Sequence, residues 1–113
     1  MVLQNLSCHF CNLYDKLFCM PTLQIQHEVP NYDGWKKVFD SDPINRKRSG
    51  VTSYRIYRPK DDHSLVIVDL DFETDEQLNA ALQALQGLWS KVQGTVMMNP
   101  TTKIFEILEA KVI

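Results

Sequence analysis

"HEVPNYDGWKKVFDSDP", residues 27–43, joins the end of an alternating strand to a helix carrying three large aromatic residues. Upstream, "TLQIQHEV" (22–29) alternates strictly, with Leu23, Ile25, His27 and Val29 on one face and Thr22, Gln24, Gln26 and Glu28 on the other. That pattern predicts a strand with one apolar and one polar face. Pro30 lacks the N–H a ladder needs and ends it. Asn31 then suits an N-cap, and Asp33 suits the positive end of the helix dipole. The helix runs from about residue 32 to 41, with Tyr32, Trp35, Val38 and Phe39 on one side. Pro43 opens a short turn, and Gly50, after the basic run "RKR" (46–48), suits a stop.

Downstream, "VTSYRIYRP" (51–59) and "SLVIVDLDFE" (64–73) flank the polar turn "KDDH" and read as a β-hairpin. Side-chain chemistry sets the register. Pairing residue i with residue 124 − i puts Arg55 opposite Asp69, Tyr57 opposite Ile67 and Ser53 opposite Asp71. The other face then pairs Tyr54 with Leu70, Ile56 with Val68 and Thr52 with Phe72. A slip of one residue would spoil both sets. "TDEQ" (74–77) is a capping box for a second helix with Leu78, Ala81, Leu82 and Leu85 on one stripe. Gly87 is expected to break or bend it, and "LWSKVQG" to form a further turn ending at Gly94. A fourth strand is expected from Pro100 through "TKIFEILEAKVI".

The order β-α-β-β-α-β in about 94 residues predicts an α+β, ferredoxin-like fold. Its four-stranded antiparallel sheet has order 4-1-3-2 and carries both helices on one face. The row Val66, Val68, Leu70 and Phe72 faces the helices. The mixed row Ile67, Asp69, Asp71, Ser53, Arg55 and Tyr57 is left open and invites a second sheet.

Composition bounds the function. The 113 residues are one domain's worth, with 44% hydrophobic and 23% charged residues and a net charge of −2. No basic face suggests nucleic acid. "RKR" reads as a solvated helix end in preference to an anion site. No apolar run approaches a membrane span. The three cysteines fall in residues 1–19, which does not make a disulfide framework, and a cytoplasmic location is expected.

Residues 1–19 differ from the rest and are taken as an N-terminal extension to a domain spanning 20–113. Leu3, Leu6, Phe10, Leu13 and Leu17 mark an amphipathic helix. Cys8, Cys11 and Cys19 with His9 could ligate a metal, but a lone C-x-x-C is weak evidence. No strand precedes it, as a redox motif would require, and no basic segment leads it, as a secretory signal would. An accessory helix is the preferred reading, and no metal site is assigned.

Several of these residues carry a resemblance. His27, Val29, Asn31, Tyr32, Trp35, Lys36, Phe39, Asp40, Gly50, Tyr57 and Arg58, with the V-x-V-x-x-D-F pattern ending at Phe72, resemble the dimeric α/β barrel superfamily. Within it, they are most similar to small proteins near the antibiotic-biosynthesis monooxygenases. The resemblance spans residues 20–113. It implies a homodimer formed through the open sheet faces, with a cavity between sheet and helices in each protomer. It also implies a small aromatic or polyketide-like ligand, with cofactor-independent monooxygenation or isomerisation as the chemistry. The alternative is a non-catalytic ligand-binding or structural dimer. A third use of the fold, a regulatory amino-acid-binding module, usually accompanies another domain. Haem-degrading members use an asparagine on the first strand and a histidine on the second helix. Here the strand offers Gln24 and Gln26, and 74–94 contains no histidine.

His27 is the candidate base and Tyr54, on the helix-facing side of the second strand, the candidate partner that orients a phenol or enol. Tyr32, Trp35 and Phe39 are the candidate ligand-binding residues. Each has a structural alternative: a core histidine with one satisfied bond, or aromatic rings that pin the helix to the sheet. No cofactor is assigned.

Overall fold

The computed structural model describes residues 20–92 and 97–113. Six elements follow in order: β1 (Pro21–Glu28), α1 (Tyr32–Asp40), β2 (Val51–Tyr57), β3 (Leu65–Phe72), α2 (Asp75–Val92) and β4 (Met98–Glu106). The strands form one antiparallel sheet in the order β2-β3-β1-β4, which is the expected 4-1-3-2 read from the other edge.

The apolar row of β3 lies under the helices. Val66, Val68, Leu70 and Phe72 are buried with Leu23 and Ile25 of β1, Trp35 of α1, and Leu78, Ala81, Leu85 and Trp89 of α2. The hairpin adopts the expected pairing from Ser53–Asp71 to Tyr57–Ile67. One pair departs from it. A bulge between Val51 and Ser53 sets Val51, in place of Thr52, opposite Phe72. The Thr52 hydroxyl instead donates to the Asp71 carbonyl at 3.3 Å.

Capping follows the sequence at α1, where the Asn31 side chain accepts from the Gly34 N–H at 2.8 Å. At α2 only half of the box forms. Gln77 N–H donates to the Thr74 hydroxyl at 3.1 Å. The Gln77 side chain packs against Gly50, and its buried Oε1 has no hydrogen-bond partner among the described residues.

Two boundaries differ from expectation. α2 runs through Gly87 to Val92 without a break. Trp89, one turn beyond Leu85, supplies the buried contact that carries the helix past the glycine. β4 starts earlier, at Met98, and ends at Glu106. Residues 107–113 lie beyond the strand, although the Ile107 N–H still donates to the Met20 carbonyl at 3.3 Å, one step past the Pro21–Glu106 pair. Gly94 and the segment with His9, Cys8, Cys11 and Cys19 lie outside the described residues. No helix among the described residues is long and apolar enough to cross a membrane.

The open sheet face holds a polar network. The Thr22 and Ser53 hydroxyls donate to the Asp71 carboxylate at 2.6 and 2.7 Å. Arg55 sits opposite Asp69 in register but leans diagonally, with Nη1 3.2 Å from Asp71 and Nη2 3.5 Å from Asp69. The Tyr57 hydroxyl and Gln24 side-chain amide donate to Asp69. Burial pushes the Asp71 carboxyl up. Bonds from Arg55, Ser53 and Thr22 outweigh that and hold it below the usual carboxylate range.

Candidate functional site

Strand alternation turns His27 toward the helices, in line with Leu23 and Ile25. There it meets α1. His27 and Trp35 lie 5.3 Å apart between ring centroids. Trp35 in turn stacks on Phe39 at 5.2 Å and contacts Tyr32 at 5.8 Å, and Phe39 meets Tyr54 edge-on at 5.1 Å. All five candidate residues therefore fall in one connected series of rings.

They do not share one wall. A cavity of about 70 Å³, partly open to solvent, lies between the sheet, α1, the 41–50 loop and α2. That exceeds the roughly 10–15 Å³ a single water needs. His27, Trp35 and Phe39 line it. Tyr54 does not; it stands one ring away behind Phe39 and is 43% exposed. Tyr32 lines a separate surface groove with Ile56, Tyr57 and Arg58.

His27 is 3% exposed, and among the described residues neither ring nitrogen has a hydrogen-bond partner. Buried polar groups are nearly always satisfied, so an imidazole without a partner on a cavity wall is a candidate site. Burial lowers its pKa from 6.5 to about 4, so the ring is neutral near pH 7.

A β-bulge frames this histidine. Gln26 pairs with Thr101 and Glu28 with Met98, so Asn99 and Pro100 of β4 together oppose His27. Asn99 takes the left-handed conformation, φ 54°. The extra residue inverts the facing of β4 upstream of it. Met97, 3% exposed, thereby reaches the cavity wall.

Sequence reasoning missed the opposite wall. Leu88, Trp89 and Val92, which follow Leu85 on the same wall, come from the stretch of α2 that extends past the expected break. Pro43, Ile44 and Arg46 come from the loop after α1. Arg46, assigned to solvent, instead folds back. Its Nη1 donates to the Phe39 carbonyl at 2.7 Å, and its guanidinium lies 4.1 Å from the Phe39 ring centre. The available signal was the stripe Leu85, Leu88, Trp89 and Val92, which continues helical spacing across Gly87. Among the described residues, no group of three or more His, Cys, Asp or Glu side chains is placed to hold a metal.

No protein-family profile matches the chain, and neither does any curated protein. Solved structures do match. SnoaB, a cofactor-independent oxygenase from Streptomyces nogalater, superposes with a TM-score of 0.60 at 13% identity, covering 83% of this chain and 95% of that one. The heme-degrader MhuD from Mycobacterium tuberculosis gives 0.58 at 20% identity, covering 80% and 99%. A dimeric ferredoxin-like protein from an uncultured marine organism gives 0.58 at 13%, covering 81% and 98%. At these identities the likeness establishes the fold. It is a ferredoxin-like fold, which the chain shares with these proteins.

Proposed function

We propose that the protein is a homodimer that binds a small aromatic molecule in the cavity beside His27 and oxygenates it without a cofactor. The observation that carries this is the unpartnered His27 imidazole facing a largely apolar, aromatic-walled cavity. The enclosed space is small, so a one- or two-ring phenol suits it better than a polycyclic molecule. A neutral His27 nitrogen accepts the phenol proton, and the electron-rich phenolate reacts with dioxygen. In net terms a ring C–H and the O–H are lost, a para-quinone forms, and the second oxygen atom leaves as water. Tyr54 acts through Phe39 in this scheme, and Tyr32 holds Trp35 in place.

The dimer rests on the open sheet. Tyr57 and Phe105 remain 45% and 41% exposed there, beside Ile67 and around the satisfied Asp69–Asp71 network. Apolar groups around a polar centre suit a matching sheet face.

The test uses the tryptophans. The chain has two, Trp35 and Trp89, and both line the cavity. Saturable quenching of their emission by a naphthol, lost in His27→Phe, supports the site. Oxygen uptake with the same naphthol supports the chemistry. Quenching that is unchanged by His27→Phe would sink the role of His27. Binding without oxygen uptake would favour a plain binding protein. The lowered pKa of His27 supports that second reading, because a weakly basic imidazole hydrogen-bonds a ligand more readily than it deprotonates one.

A further inference from the structure

One charged side chain stands among the residues lining the cavity, and it is Arg46. Its side chain is only 17% exposed. Two protein oxygens hold it, the Phe39 carbonyl at 2.7 Å and the Asp42 carboxylate at 3.5 Å, and both are met by Nη1. Among the described residues, Nη2 and Nε have no hydrogen-bond partner. A guanidinium is a permanent cation that presents its donors as a planar fork, suited to a carboxylate. Neither Nη2 nor Nε is among the buried unpartnered atoms, so both remain within reach of solvent and of a ligand that enters the cavity. No carboxylate lines the cavity to use them. Lys91 adds a second positive charge on the adjoining groove, which shares Pro43, Ile44 and Leu88 with the cavity.

We propose that the cavity selects monoanionic aromatic molecules, whose carboxylate is held by Arg46 while the ring lies among Trp35, Phe39 and Trp89. This rests on the reading of the cavity as a ligand site and names the class of ligand it takes. The neutral His27 adds no charge, and Asp42 engages only Nη1, so the remaining edge of the guanidinium is left to take one anion. Cationic aromatics are rejected by the same guanidinium.

Calorimetric titration with two probes of the same shape tests it: a naphthoate and the corresponding neutral naphthamide. Wild-type protein is expected to prefer the naphthoate by about tenfold or more, the worth of a charge-assisted bond. The preference should shrink as salt is raised. Arg46→Met should abolish it, and Arg46→Lys should keep part of it. The wild-type comparison needs no variant, so it stands even if loss of the Phe39 contact unfolds Arg46→Met. Equal affinity for the two probes in wild type, or a preference that survives Arg46→Met, overturns the proposal and leaves the ligand site intact. Binding of neither probe overturns the ligand-site reading and this proposal with it.

Discussion

The His27 imidazole lies against the Trp35 indole, with ring centroids 5.3 Å apart and planes tilted by 45°. The contact shields the histidine from water without satisfying either nitrogen. A group kept in this state destabilises the fold, and replacing it should reveal how much.

His27→Phe should raise stability by about 1–2 kcal/mol, because an unsatisfied buried polar ring gives way to an apolar one of similar shape. Chemical denaturation measures this. A loss of stability would mean that the imidazole is satisfied in solution.

The pH dependence of wild type has a definite sign. The His27 pKa is about 4 folded against an ordinary 6.5, so below pH 6.5 the unfolded chain takes up a proton that the folded chain refuses. Stability is complete above about pH 6.5 and falls as pH drops, by about 3 kcal/mol near pH 4. Asp71 acts lower. Its depressed pKa contributes stability that is present above the ordinary 3.8 and lost as pH falls through the folded value. Urea melts from pH 7 to 4 should show the first loss in wild type and a much smaller one in His27→Phe.

The two glycines should respond in opposite directions. A Cβ at Gly87 meets nothing within 4 Å, so Gly87→Ala should stabilise α2 by about 1 kcal/mol. Gly50 has φ 97°, and a Cβ there would lie 2.5 Å from Gln77 Cδ. Gly50→Ala should therefore cost about 1–2 kcal/mol. Thermal melts of the pair check both signs.

Arg55→Met should destabilise the protein by about 1–3 kcal/mol, since it strips the buried Asp71 carboxylate of its cation and leaves only the Thr22 and Ser53 hydroxyls. In the proposed dimer the same change weakens association, which sedimentation would register as a shift toward monomer. Unchanged stability would show that the hydroxyls alone suffice.

The hairpin register was legible because Arg55, Asp69, Tyr54 and Leu70 each reject the wrong face. The bulge at Thr52 was not, since a threonine suits either arrangement. The position of His27 on the inner face followed from alternation alone. The far wall of the cavity did not. Reading Gly87 as a breaker gives local propensity a decision that Trp89, by burying its indole, makes instead. Arg46 was lost for another reason. Its role depends on a loop turning back on α1 through left-handed Asp42 and Asn45, a path that no periodicity marks.

The extra residue opposite His27 gives β4 a choice of alignments. If Asn99 and Pro100 were drawn into a regular ladder, the strand upstream would advance by one place, and Met98 would stand where Met97 now faces the cavity. The side chain presented would be the same. Adjacent identical residues make this corner of the wall redundant, so a slip there would alter the backbone beside the histidine while leaving the lining chemically unchanged.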